Sequence, residues 1–68
     1  MKFLITDFNP AVKNSFHLKS YFTEIGWDQF PFEVTDTGET GDDPDYPICV
    51  NENGVGASLI FFEFKLIE

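Results

Sequence analysis

The sequence predicts a small α+β domain of element order β-α-β-β-β, with one helix packed on a mostly antiparallel sheet of about four strands. Three observations carry this reading. Residues 29–35 alternate apolar and polar side chains at the period of a half-buried strand. Asn9-Pro10 stands directly before an apolar pattern near helical spacing. Asn53-Gly54 separates two apolar runs, which is the strongest short-range hairpin signal.

Residues 2–8 read as the first strand, with Leu4, Thr6 and Phe8 on one face and Phe3, Ile5 and Asp7 on the other. Asn9 suits a helix N-cap, because its side-chain oxygen can accept a backbone N–H that has no helical partner. Pro10 suits the first helical position, where the missing N–H costs nothing. Val12, Phe16, Tyr21, Phe22 and Ile25 then recur near helical spacing, Leu18 widens the stripe, and Gly26 fits the position just past the helix end. In residues 29–35, Phe30, Phe32 and Val34 are expected to face the core. Pro31 cannot donate to a strand ladder, so it implies an edge strand or a late strand start. Asp36–Asp45 holds two Gly, one Pro and five acids, and reads as a loop. Tyr46–Asn51 reads as a third strand, with Tyr46, Ile48 and Val50 on one face. Ala57–Ile67 reads as a fourth, with Ile60, Phe62, Phe64 and Leu66 on one face and Leu59 and Phe61 on the other. A stretch apolar on both faces predicts a central strand or a face left open for a partner.

With 68 residues the chain has room for one core, so residues 1–68 read as a single compact domain with an acidic loop at 36–45. Cys49 is alone and forms no internal disulfide, and Cys49 with His17 falls short of a four-ligand zinc site. A hydrophobic content of 43% with nine Phe supplies core material and argues against disorder. The longest apolar run, Leu59–Phe62, is far too short to span a membrane. The start, Met1 to Asp7, has an acid where a secretory signal would stay apolar, and a lone thiol fits a reducing compartment. The expected location is the cytoplasm, that of a host cell if the chain is phage-encoded.

Charge is the most distinctive property. Twelve Asp and Glu face four Lys and no Arg, for a formal net charge of -8. Residues 1–32 balance to zero, so the whole excess lies in residues 33–68. The densest stretch contains Glu33, Asp36, Glu39, Asp42, Asp43 and Asp45 without a base. Direct nucleic-acid binding needs a basic patch to neutralise phosphates, and attraction to an anionic membrane surface needs one as well. Neither is expected here.

Catalytic chemistry finds little support. A general base needs an orienting partner, and the helical neighbours of His17 are Lys13, Asn14, Ser20 and Tyr21, with no carboxylate among them. A nucleophilic thiol needs an electropositive surround, whereas Cys49 lies among acids. Loop 36–45 does not match the ligand spacing of an EF-hand. Gly54-Val55-Gly56 lacks the helix and the Lys of a phosphate loop. The expectation is a non-enzymatic protein with no cofactor and no metal site.

What remains is binding. Acids ordered on a sheet repeat at about 6.6–6.8 Å along one face, close enough to imitate phosphate charges, and long-range attraction to a basic groove would speed capture. The candidate partner-binding residues are Glu33, Asp36, Glu39, Asp42, Asp43 and Asp45, with Trp27 and Tyr46 as aromatic anchors because interface hot spots favour Trp and Tyr. In composition the whole chain resembles the small acidic nucleic-acid mimics and inhibitors, anti-CRISPR proteins among them, that phages and mobile elements encode. That resemblance implies a basic nucleic-acid-binding protein or complex as partner, in host defence or nucleic-acid processing. The alternative is a small assembly subunit, a homodimer for instance, using the apolar 59–62 stretch, with the acids serving only solubility.

Overall fold

A computed structural model describes residues 1–67. Five strands, β1 (Lys2–Phe8), β2 (Phe32–Thr40), β3 (Pro47–Val50), β4 (Gly56–Ser58) and β5 (Phe62–Leu66), form one sheet in the order β4-β3-β2-β1-β5. Every neighbouring pair is antiparallel. Two helices, α1 (Pro10–Lys13) and α2 (Phe16–Glu24), occupy the connection from β1 to β2. The expected α+β class is present, with five strands in place of four.

The extra strand arises at Ser58. Its side chain accepts the N–H of Ile60 at 3.3 Å and caps a 3-10 turn over Leu59–Phe61. That turn cuts the expected strand 57–67 into β4 and β5 and resets the alternation, so Leu59 and Phe62 are both buried while Ile60 is exposed. The break has a geometric consequence. β4 and β5 are the two edges of the sheet, about 19 Å apart if the sheet were flat. The chain from Ser58 to Phe62 reaches about 14 Å at most. The sheet therefore rolls. Tyr46, at the start of the β3 segment, meets Phe64 of β5 with ring centroids 6.2 Å apart, although β2 and β1 lie between those strands.

β1 departs from strict alternation. A register shift between Ile5 and Asp7 turns Phe8 to the same side as Phe3 and Ile5, and all three are buried. The expected helix is two helices. Asn9 caps α1 by accepting the N–H of Val12 at 2.9 Å, as the sequence indicates. Ser15 then starts α2 by accepting the N–H of Leu18 at 3.3 Å. Asn14 and Ser15 favour caps over helix interiors, because their side chains compete for backbone groups. The break leaves Val12 and Phe22 buried and sets Phe16 and Tyr21 in solvent, at 84% and 53% exposure. Gly26 follows the cap of α2 with φ 84, the left-handed conformation expected there.

β2 begins late, after Pro31, but extends to Thr40, so the expected loop 36–45 shrinks to a connection from Gly41 to Tyr46. The ladder survives the Gly because a bulge takes it up. Asp36 pairs with Cys49 and Glu39 with Ile48, leaving Thr37 and Gly38 as the extra residues. Gly38 has φ 85 and donates its N–H to Asp36 Oδ1 at 2.7 Å, while Thr37 Oγ1 donates to the Ile48 carbonyl at 2.8 Å.

The core centres on Ile5, Val12, Phe22, Trp27, Val34, Cys49 and Leu59, all nearly or fully buried. Phe62 lies between the helices and the sheet, with its ring 4.9 Å from Phe22 and 5.1 Å from Trp27. The hairpin expected at Asn53-Gly54 is present between β3 and β4. Its framework is the buried Asn51, whose Oδ1 accepts the N–H groups of Asn53 and Val55 at 3.0 and 2.9 Å.

Candidate interaction surface

The acidic residues separate into two groups once they are placed on the fold. Asp36 and Asp43 are half-buried and build turns. Asp36 accepts Gly38 N–H, and Asp43 Oδ1 accepts Asp45 N–H at 3.0 Å while its carbonyl accepts Tyr46 N–H at 3.2 Å. Glu39, Asp42 and Asp45 are exposed and lie together at the end of the β2–β3 hairpin. Glu33 is exposed but stands elsewhere. It lies opposite Leu4, whose partner on the other side is Lys65, so its row on the sheet contains a base.

Asp36 and Glu39 point to opposite sides of the sheet. Asp36 shares the core side of the sheet with Cys49, its register partner, whereas Glu39 pairs with Ile48 on the opposite side. Two extra residues leave the alternation of residues 29–35 in phase, so Asp36 and Glu39, three positions apart, fall on opposite faces and the carboxylates do not form one regular row. Among the described residues, no three His, Cys, Asp or Glu side chains come together closely enough to hold a metal ion.

The aromatic candidates divide as well. Trp27 is fully buried, so it is a core residue and not an anchor for a partner. Its Nε1 donates to the Val55 carbonyl at 3.2 Å and its ring meets Phe32 edge-on at 5.4 Å. An indole that closes an irregular connection onto the sheet satisfies both its area and its N–H internally. Tyr46 is half-buried, next to Asp45 at the hairpin end, with its ring meeting Phe64 at 6.2 Å.

Two surface features have no counterpart in the sequence reading. A groove of about 710 Å³ runs over the outer side of the sheet, lined by Lys2, Leu4, Glu33, Thr35, Val50 and Glu52 among others. It is assembled by strand order, which adjacent residues do not reveal. The second is the pair of exposed rings on α2, Phe16 and Tyr21, which helical spacing placed with the core. The apolar 59–62 stretch, in contrast, exposes Ile60 alone. Leu59 and Phe62 are buried, and half-buried Phe61 packs 5.3 Å from Phe22.

Titrating groups follow their surroundings. Burial, helped by the Asp36 charge, pushes the Cys49 thiol up to about 11, so it stays protonated and inert at neutral pH. His17 is exposed on α2. Asp7 and Lys13 pair at 2.7 Å across the β1–α1 junction. That hydrogen bond holds the Asp7 carboxyl below its usual range and the Lys13 ammonium above its own. Among the described residues, no helix is long and apolar enough to cross a membrane.

No protein-family model, no curated protein and no solved structure matches this chain.

Proposed function

We propose that this chain is a non-enzymatic protein-binding inhibitor whose acidic hairpin end occupies a basic nucleic-acid-binding site. The partner class is a host defence or nucleic-acid-processing protein, and the mode is that of a DNA mimic or anti-CRISPR-type protein encoded by a phage or mobile element. It acts in the cytoplasm, and nucleic acid is a competitor for the partner, not a ligand of this chain. The observation that carries the reading is the grouping of exposed Glu39, Asp42 and Asp45 at one end of the β2–β3 hairpin, in a stretch with no base from Glu33 to Phe64. A hairpin end that is acidic and carries the half-buried Tyr46 beside its carboxylates suits a basic groove. Like charges held together cost stability, which an interaction with opposite charge offsets. The interaction set narrows to Glu39, Asp42, Asp45 and Tyr46, with Asp36 and Asp43 shaping the connection and Glu33 lying apart.

The test is capture from the native host's lysate with the tagged chain, under increasing salt and with DNA or RNA as competitor. A basic nucleic-acid-binding protein, released by salt and displaced by nucleic acid, is the expected result. A neutral partner held equally at all salt concentrations would remove the reading.

A further inference from the structure

β5 has β1 on one side and no strand on the other among the described residues. An open edge is a template for pairing with another chain. Its backbone phase is fixed by Ile67, whose N–H donates to the Lys2 carbonyl at 3.0 Å. Backbone groups alternate along a strand, so Glu63, Lys65 and Ile67 face β1 while Phe64 and Leu66 turn their N–H and C=O groups to the open edge.

The sequence of that edge is Phe62-Glu63-Phe64-Lys65-Leu66, and it is complementary to its own reverse. We propose that two copies of the chain pair antiparallel through β5 about a two-fold axis at Phe64. This inference is independent of the acidic hairpin. In that register Phe64 lies opposite Phe64 of the second copy, and the outward N–H and C=O groups of the two residues satisfy each other. Phe62 lies opposite Leu66, which sets the exposed Leu66 side chain beside the edge of the core. On the other face Glu63 lies opposite Lys65, and the symmetry makes this pair twice. Centring the axis on Glu63 or on Lys65 would set like charges against each other, and so would an in-register parallel arrangement. Charge complementarity therefore selects one register and one occupant, a second copy. The area to be covered is present as well, since Leu66 is 55% exposed and Ile67 40% exposed.

Sedimentation equilibrium of the full chain, from about 1 µM to about 1 mM, tests this. The wild-type chain is expected to dimerise within that range. Lys65→Glu sets acid against acid twice and is expected to weaken the dimer by about tenfold or more. The double swap Glu63→Lys/Lys65→Glu restores the opposite pairing and with it the dimer. Leu66→Pro removes an outward N–H without touching the β1 ladder and is expected to abolish dimerisation while the far-UV circular dichroism stays native. A wild-type chain that is monomeric throughout would overturn the proposal. So would a dimer indifferent to Lys65→Glu, or a folded double swap that stays as weak as the single variant.

Discussion

The indole Nε1 of Trp27 donates to the carbonyl of Val55 at 3.2 Å, and this bond ties the end of the helical connection to the β3–β4 turn. Val55 in turn donates its N–H to Asn51 Oδ1, so one residue links a ring buried under the helices to the framework of the hairpin. A domain of this size has a stability of roughly 3–10 kcal/mol, so such junctions decide whether it folds.

Replacing Trp27 tests the junction. Trp27→Phe keeps most of the volume and loses the hydrogen bond, and is expected to cost about 1–3 kcal/mol. Trp27→Ala also opens a cavity, costs about 3–5 kcal/mol and brings the chain to the limit of folding. Urea unfolding followed by far-UV circular dichroism reads both. Equal, small effects would show that the ring is not central to the core.

Asn51→Ala removes the acceptor for two backbone N–H groups inside a buried turn. The expected loss is about 2 kcal/mol, read as a lower urea midpoint at unchanged slope. Gly54→Ala, at φ 78, is expected to cost about 1 kcal/mol by backbone strain alone, because nothing stands near the added methyl group.

Cys49 gives a pH signature. Its thiol ordinarily titrates at 9.0 and is raised to about 11 in the folded chain. Below pH 9 both states hold the proton and the thiol adds no slope. Between pH 9 and about 11 the unfolded state releases its proton first, so stability falls, by on the order of 2 kcal/mol in all. Cys49→Ala removes that part of the alkaline loss, and the difference between the two pH–stability curves measures it. A thiol reagent at neutral pH is expected to modify Cys49 only after unfolding.

The acids separate by stability before any partner is known. Asp36→Ala loses the bond to Gly38 N–H and is expected to destabilise by about 0.5–1.5 kcal/mol. Asp42→Ala and Asp45→Ala remove exposed charges from a repulsive cluster and are expected to leave stability unchanged or raise it slightly. Thermal melts at low salt compare them. A loss for Asp42→Ala equal to that for Asp36→Ala would contradict the division into turn-building and exposed carboxylates.

Local signals in the sequence mark what local chemistry determines. Asn9-Pro10 caps a helix, Gly26 ends one, and Asn53-Gly54 turns a hairpin, each because the backbone conformation there suits few residue types. The misses lie where one residue resets a period. Ser58 starts a 3-10 turn inside an apolar run, Ser15 restarts a helix, and the bulge at Thr37–Gly38 carries β2 past the point where glycine and acids suggest a loop. Each keeps the composition; the two serines change the face that later residues present, while the bulge keeps the face and lengthens the strand. The same holds for the site. The excess of acid was legible, but which carboxylates are exposed depends on the turn bonds that Asp36 and Asp43 accept, and the burial of Trp27 depends on a contact 28 residues away.

The role of the acidic hairpin end is tested most directly with the captured partner in hand, by measuring its affinity for the wild-type chain and for Glu39→Lys/Asp42→Lys/Asp45→Lys at two ionic strengths. The expected result is a tight, salt-sensitive wild-type complex and a variant that folds but binds at least about tenfold more weakly, with little salt dependence left. A folded variant that binds as tightly as the wild-type chain would contradict it and leave the acids as a solvated surface.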